Sequence, residues 1–260
     1  MVYGVTVKRH KLQLFYQRNG VKCRRTKSRY FPHGHNLKLL EARRIEFAME
    51  LITDIMEPKP IIYLDQTTFR TDMVQKRTWY DSKQKFSVPL ARGKDVGCSF
   101  TVFGAIGECI KSNCFYYEIH PSTNAISFEQ FILNLADMLE PLPEGDKPIL
   151  ILDNHNAGRG AREDLMRDYF IPRYLPIYTS EMNGPIETLW SVIKGRSIRK
   201  FTKLLLRKDC TKAKCVEVVE KEIAKLGRET FVNLLRAHYD DIQKLIEKSK
   251  TEYCLPMPPK

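Results

Sequence analysis

Residues 149–152 form an uninterrupted apolar run, Ile-Leu-Ile-Leu, that ends at Asp153. A run of branched residues without polar alternation is typical of a strand that is covered on both faces of its sheet. Residues 61–64, Ile-Ile-Tyr-Leu, form a second apolar run, which ends at Asp65. The sequence therefore predicts a sheet buried between helices, with an aspartate at the end of each of these two strands.

The rest of the chain alternates between strand and helix patterns. Apolar segments bounded by turn residues predict strands at 98–106 and 114–119 and a short apolar segment at 171–177. The strands at 61–64, 98–106 and 114–119 follow one another and predict an antiparallel meander. Ser127 and Gln130 are predicted to form a capping box at the start of a helix at 127–139. Amphipathic patterns predict the other helices, at 5–16, 36–56, 159–168, 185–200, 211–226 and 229–247.

The positive charge of the chain is concentrated near its N-terminus. The 260 residues carry a formal net charge of +12, and residues 1–40 contain ten Lys or Arg and no Asp or Glu. A basic arm on a chain with 43% hydrophobic residues indicates a polyanionic partner, and favours nucleic acid over a membrane. The longest apolar runs are far shorter than the roughly 18 residues of a membrane span, and the basic N-terminus is unlike a secretory signal.

Three acidic residues stand at the ends of predicted elements: Asp65, Asp153 and Glu187, which lies in the first turn of the helix that Pro185 opens. Each has a structural explanation by itself, as a turn residue or as a favourable charge at a helix N-terminus. If the strand at 61–64 is central and the strand at 149–152 pairs beside it, both aspartates emerge at one edge and the helix can bring Glu187 to them. Converging carboxylates need a cation, and hard oxygen ligands favour Mg²⁺ or Mn²⁺. Two such ions suit in-line phosphoryl displacement.

Three segments of the sequence resemble the catalytic segments of Tc/mariner-type transposases, which belong to the DDE group and have a ribonuclease-H-like core. They are Tyr63-Leu-Asp-Gln-Thr-Thr-Phe69, Ile151-Leu-Asp-Asn-His-Asn156 and Asn183-Gly-Pro-Ile-Glu-Thr-Leu-Trp-Ser-Val-Ile-Lys194. The third segment is the most specific, and there Gly184 replaces the asparagine that the family typically has. The 34 positions between Asp153 and Glu187 match the short spacing of this family. The resemblance covers roughly residues 5–200.

The resemblance implies a metal-dependent enzyme that cuts double-stranded DNA at transposon ends and joins the ends to target DNA. Asp65, Asp153 and Glu187 are then the catalytic, metal-binding triad, which holds two Mg²⁺ or Mn²⁺ ions. The fold implied is α/β, a five-stranded mixed sheet whose first three strands are antiparallel, with helices on both faces. A homodimer or larger assembly is expected, because two DNA ends must be cut and joined together. The protein would act in the nucleus if its source is eukaryotic.

The basic arm resembles the second helix-turn-helix unit of the family, and residues 36–52 resemble the linker to its catalytic domain. Only 64 residues precede Asp65, so the first helix-turn-helix unit of the family has no counterpart in the sequence. Lys8, Arg9 and Lys11 are predicted to contact base edges. The residues predicted to contact the DNA backbone or a minor groove are Arg24, Arg25, Lys27 and Arg29, and Arg18 completes the DNA-binding set.

Three further residues are also assigned predicted roles. His155, two positions beyond Asp153, either supports the active site by positioning a water or phosphate or is a loop histidine without a metal role. Trp79 resembles a family turn and would stack on DNA, whereas Trp190 is predicted to pack in the core.

The predicted organisation has three parts: a basic DNA-binding and linker region at 1–58, a catalytic domain at 59–200 and a helical segment at 201–260. Two alternative functions remain open at this point. One is a transposase-derived DNA-binding protein that has lost catalysis, and the other is a structure-selective nuclease on the same fold.

Overall fold

The computed structural model describes residues 14–15, 18, 37–57, 59–74, 95, 97–111, 113–143, 145–153, 163–176 and 183–253. By packing, the chain divides into two compact units, Met1–Asn36 and Leu37–Lys260. The fold described below is that of the second unit. Its described residues include no helix that is long and apolar enough to cross a membrane.

Five strands form one mixed sheet with the order β3-β2-β1-β4-β5. The strands are β1 (Ile61–Arg70), β2 (Ser99–Ile106), β3 (Phe115–His120), β4 (Ile149–Leu152) and β5 (Ile171–Tyr174). β1, β2 and β3 form an antiparallel meander. β4 and β5 continue the sheet on the other side of β1 in parallel orientation. The predicted five-stranded mixed sheet is confirmed.

β1 is the central strand and extends further than predicted. It pairs with β4 only as far as Leu64 opposite Leu152, but it pairs with β2 as far as Arg70 opposite Ser99. The prediction that the strand ends at Asp65 is therefore wrong. β2 continues to supply hydrogen-bonding partners where β4 has ended, so that Asp65 lies inside β1.

Six helices are present among the described residues, with at least one on each face of the sheet. They are α1 (Leu37–Met56), α2 (Ala125–Asp137), α3 (Glu163–Tyr169), α4 (Gly184–Leu206), α5 (Lys212–Ile223) and α6 (Arg228–Tyr253). α4 continues six residues beyond the predicted end at residue 200, because Phe201 and Leu205 prolong its buried stripe. Residues 159–162 and 177 of two predicted segments lie outside the described residues.

The N-terminus of α2 differs from the predicted capping box. Asn124 is the N-cap, and its side chain accepts a hydrogen bond from the backbone nitrogen of Ser127 at 2.7 Å. The backbone nitrogen of Asn124 donates in return to the Ser127 hydroxyl at 3.1 Å. Gln130 donates instead to Asn134, one turn further along the helix. The pairing of Ser127 with Gln130 was wrong because Asn124 already occupies the N-cap position.

The alternation of side chains along β1 and β4 builds two hydrophobic cores. On one side, here named the α2 face, residues such as Ile62 and Leu152 pack against α2 and α3. On the opposite side, named the α4 face, residues such as Tyr63 and Ile151 pack against α4. α1, α5 and α6 complete the α4 face with residues such as Leu51, Val219 and Phe231. α4 is therefore enclosed between the sheet and the C-terminal helices.

α1 is also attached to the edge of the sheet by an ion pair. The Arg173 guanidinium of β5 donates to both carboxylate oxygens of Asp54 at 3.1 and 3.2 Å. Asp54 is 6% exposed, so this bidentate contact provides a partner for a buried charge. The predicted domain boundaries at residues 58 and 200 stay predictions, and both fall inside this packed unit.

Candidate active site

The register of the two parallel strands brings Asp65 and Asp153 together. Leu64 and Leu152 form the last pair between β1 and β4, so the two aspartates occupy the next position on neighbouring strands. Side chains alternate between faces along a strand, so Asp65 shares a face with Tyr63, and Tyr63 belongs to the core of the α4 face. The predicted meeting of the aspartates at one edge is confirmed, although Asp65 reaches it from within a strand.

α4 brings Glu187 to the same place. Its N-terminus carries Pro185 in the first turn, where proline suits the helix because no amide hydrogen is needed there, and Glu187 lies in that turn. Asn183, the N-cap, makes no side-chain capping bond. Its amide nitrogen donates instead to the backbone oxygen of Leu64 at 3.1 Å. The start of α4 is thereby joined to β1 at the residue that precedes Asp65.

These elements surround a cleft of about 630 Å³. The cleft is lined by all three predicted triad residues together with Gln66, Thr67, Thr68, Trp190, Ser191 and Lys194. Glu187, Ser191 and Lys194 are spaced four and three positions apart on α4, which places them along one side of the helix. The sequence analysis did not identify Lys194 as a site residue, although its spacing of seven positions from Glu187 was a signal for it.

The surroundings of the cleft alter the ionisation of Asp65 and Glu187. Burial, together with the charges of Glu187 and Asp153, raises the pKa of Asp65 from 3.8 to about 7. The Lys194 ammonium and a backbone hydrogen bond from Gln66 offset only part of this effect. Burial also raises the pKa of Glu187 and lowers the pKa of Lys194. The cleft therefore gathers more negative charge than its lysine neutralises, and a cation bound there would be favourable.

The donor set matches a hard divalent cation in chemical type, since three carboxylates can offer only oxygen ligands. Within the part of the chain that the structure describes, no three His, Cys, Asp or Glu side chains are close enough together to form a finished metal site. The triad residues line a common cleft, but their carboxylates do not meet at a single point. Asp65, Asp153 and Glu187 are the residues that would hold Mg²⁺ or Mn²⁺ here.

Trp190 forms one wall of the cleft and requires a glycine on the neighbouring strand. Gly104 lies opposite Asp65 in the β1–β2 ladder. A Cβ at this position would lie 2.6 Å from both Cη2 and Cζ2 of the Trp190 ring. Trp190 is 2% exposed, which confirms its predicted place in the core. The absence of a side chain at Gly104 thus allows α4 to approach the sheet beside Asp65.

Several predicted functional residues lie outside the described residues: Lys8, Arg9, Lys11, Arg24, Arg25, Lys27, Arg29, Trp79 and His155. Arg18 is described, and its side chain is exposed. The functional assignments of all these residues, Arg18 included, stay predictions.

The sequence matches a family model over all five strands of the sheet. A family model described as DDE superfamily endonuclease matches residues 60–205, a range that includes all three triad residues. No curated protein matches the chain significantly.

Solved structures with a similar fold include complexes of the Mos1 transposase. A pre-cleavage Mos1 transpososome aligns with a TM-score of 0.62 and 15% identity over 95% of this chain and 81% of that one. The Mos1 paired-end complex with the left transposon end aligns with 0.58 and 16%, over 95% and 81%. The Mos1 mariner paired-end complex with Mn aligns with 0.60 and 17%, over 93% and 71%.

At identities this low, the structural alignments establish a shared fold. The predicted ribonuclease-H-like architecture is confirmed. The family match covers more than half of the 260 residues and contains the motifs in which the resemblance was found. The chain therefore belongs to the DDE superfamily endonucleases.

Proposed function

We propose that the protein is a DNA transposase that cleaves DNA at transposon ends and joins the freed ends to target DNA. The observation that carries this proposal is the convergence of Asp65, Asp153 and Glu187 on one cleft of a DDE-family fold. Burial and the neighbouring carboxylates together raise the pKa of Asp65, which supports a site that would receive cations. The Mn-containing Mos1 complex has the same fold and supports the same choice of cofactor.

The proposed chemistry is two in-line displacements at phosphorus. In the first, a water oxygen forms a bond to phosphorus, the bond to the 3′ oxygen breaks, and that oxygen leaves as a 3′ hydroxyl. In the second, this hydroxyl attacks a phosphodiester of the target DNA and displaces its 3′ oxygen. When bound, a pair of divalent ions supplies stabilisation of the attacking and the leaving oxygen.

The residues of the cleft have separate roles in this scheme. Asp65 and Asp153 would hold the cations at the edge of the sheet, and Glu187 would close the ligand set from α4. Lys194 keeps a positive charge beside Asp65 and Glu187 and reduces the repulsion between them. The hydroxyl groups of Thr67, Thr68 and Ser191 line the same cleft and can donate hydrogen bonds to phosphate oxygens.

Binding of the DNA ends is assigned to the basic arm. The residues proposed for this role are Lys8, Arg9, Lys11, Arg18, Arg24, Arg25, Lys27 and Arg29. The proposed assembly is a homodimer or larger, because two ends take part in one reaction, and the Mos1 structures are named as paired-end complexes. Action in the nucleus follows if the source is eukaryotic.

The test is cleavage and strand transfer on a supercoiled plasmid that carries the genomic DNA flanking the gene on both sides, with Mg²⁺ or Mn²⁺. Asp153→Asn and Glu187→Gln are compared with Asp164→Asn and Glu229→Gln, which change the same residue types at exposed positions of α3 and α6. We expect the first pair to bind DNA and neither cut nor join it, and the control pair to retain both activities.

Other outcomes distinguish the alternatives. Wild-type protein that binds the plasmid without cutting it under either metal would favour a DNA-binding protein that has lost catalysis. Cleavage of branched DNA without any joining would favour a structure-selective nuclease. Equal cleavage by the triad variants and the wild type would overturn the assignment of the active site.

A further inference from the structure

His238 of α6 contacts both β1 and α4, the elements that carry Asp65 and Glu187. Its side chain is 7% exposed, and its ring meets the Tyr63 ring edge-on with 5.1 Å between centroids. Tyr63 is two residues before Asp65 on β1. The His238 ring also lies against Gly184, at the start of α4 and three residues before Glu187. One side chain from the C-terminal region therefore contacts both the Asp65 strand and the Glu187 helix.

The contact with Gly184 is so close that a side chain at that position would force the His238 ring to move. A Cβ added to Gly184 would lie 3.0 Å from Cε1 of His238 and closer still to Nδ1. The backbone of Gly184 is not in the positive-φ region, where glycine is otherwise favoured. The reason for glycine here is therefore the space that the imidazole occupies.

Three consecutive residues of β1 are thus tied to the start of α4. Tyr63 contacts His238, the backbone oxygen of Leu64 accepts a hydrogen bond from Asn183, and Asp65 lines the cleft beside Glu187. Asn183 limits how far α4 can move away from β1, and His238 limits how closely the two can approach. Together these contacts fix the distance at which Glu187 faces Asp65.

We infer that His238 is a positioning residue, which sets the separation of Glu187 from Asp65 and so tunes the affinity of the site for its divalent cations. The inference rests on the proposed function, since it assumes that these carboxylates bind metal. His238, which would influence the geometry of the site, lies beyond the family-matched range, which ends at residue 205. α6 would then be a part of the active site's support and more than a cover for the core.

The test measures Mn²⁺ binding to metal-free protein by calorimetry, with plasmid cleavage as a second readout. His238→Ala removes the imidazole, and we expect about tenfold weaker Mn²⁺ binding, the range found for residues that orient metal ligands. Gly184→Ala places a methyl group against the ring, and a similar loss is expected. In the double variant, Gly184→Ala with His238→Ala, the clash is absent and part of the space is refilled. We expect Mn²⁺ affinity to recover to within about threefold of wild type.

Leu235→Ala is the matched control, because Leu235 is a fully buried residue of α6 that belongs to the same core as Tyr63. We expect it to lower thermal stability and leave the Mn²⁺ affinity of the folded protein unchanged. If His238→Ala matches Leu235→Ala in Mn²⁺ affinity, or if the double variant shows the sum of the two single losses, the positioning role is overturned. If wild type binds no Mn²⁺, the metal-dependent function is overturned and the inference with it.

Discussion

The same two strands, β1 and β4, present different chemistry on their two faces. On the α2 face they contribute Ile62, Leu64, Leu150 and Leu152, and these side chains remain fully within an apolar core. On the α4 face the apolar residues are followed by Asp65 and Asp153, and α4 adds Glu187. The even-numbered residues of the two strands lie on the α2 face and the odd-numbered residues lie on the α4 face. β4 ends at Leu152, directly before Asp153. Both faces contribute a hydrophobic core to stability, whereas the three acidic residues of the cleft all lie on the α4 face.

Adjacent substitutions on β1 provide the strongest test of this comparison. Asp65→Asn should reduce cleavage by about a thousandfold or more, because it removes a cation ligand worth several kcal/mol to the transition state. Leu64→Ala, one residue earlier, should lower the free energy of unfolding by about 2–5 kcal/mol through the cavity it leaves. Its cleavage rate per folded molecule should stay near that of wild type.

Plasmid cleavage and urea unfolding on both variants check this prediction. Asp65→Asn that still cleaves at the wild-type rate would remove Asp65 from the catalytic set. Leu64→Ala that folds and binds Mn²⁺ normally but cleaves a hundredfold more slowly would show that the two faces are not separate.

Asp65, on the α4 face, should also make the stability of the protein depend on pH. The pKa of Asp65 is raised from 3.8 to about 7 in the folded protein. The folded protein therefore favours the protonated carboxyl of Asp65. The contribution of this preference to the free energy of unfolding is present in full below pH 3.8 and is lost as the pH rises through 7. Across this range the metal-free wild type should lose on the order of 4 kcal/mol that Asp65→Asn does not lose.

Urea unfolding in a chelating buffer between pH 4 and pH 8 measures this difference. Asp164→Asn, at an exposed position of α3, is the control and should follow the wild type. Added Mn²⁺ should restore stability to the wild type at pH 8 and have little effect on Asp65→Asn. Parallel curves for wild type and Asp65→Asn would contradict the raised pKa of Asp65.

Two neighbouring small residues of β2 allow a finer test. Gly104→Ala would push a methyl group into the Trp190 ring on the α4 face, at a cost of about 1–3 kcal/mol, and should slow cleavage as α4 is displaced. Ala105→Gly changes the next residue, which lies in the core of the α2 face. It should lower stability by about 1 kcal/mol and leave the cleavage rate unaltered. Melting temperatures and cleavage rates would decide the matter, and equal loss of cleavage in both would contradict the assignment of faces.

The parts of this arrangement that could be predicted depend on local patterns. The apolar run of β4 located Asp153, and Pro185 located the first turn that carries Glu187, because both features lie within a few residues of the acid concerned. The end of β1 could not be predicted, since it depends on where β2 and β4 stop pairing with it. The capping of α2 by Asn124 was missed because both Asn124 and Ser127 are suitable caps.

The support of the site was harder to predict than the site itself. Lys194 follows Glu187 by two helical turns, and that spacing alone could have revealed it. His238 approaches Gly184 only because α6 returns to the α4 face, 54 positions later in the chain. No local pattern marks such a contact. The single trace in the sequence is Gly184 itself, where the related family typically has a larger residue.

The smallest expected effect concerns the side of α4 that faces away from the core. Gly195 is exposed, and a Cβ added there would meet no atom within 4 Å. Gly195→Ala should raise the free energy of unfolding by about 0.5–1 kcal/mol, because glycine inside a helix is less favourable than alanine. This corresponds to a rise of roughly 1–4 °C in melting temperature for a unit of this size. Gly195 follows the cleft residue Ser191 by one helical turn, but the added methyl group would contact no protein atom, so the cleavage rate should not change. A stabilised variant that cleaves more slowly would place bound DNA against this outer side and extend the functional surface beyond the cleft.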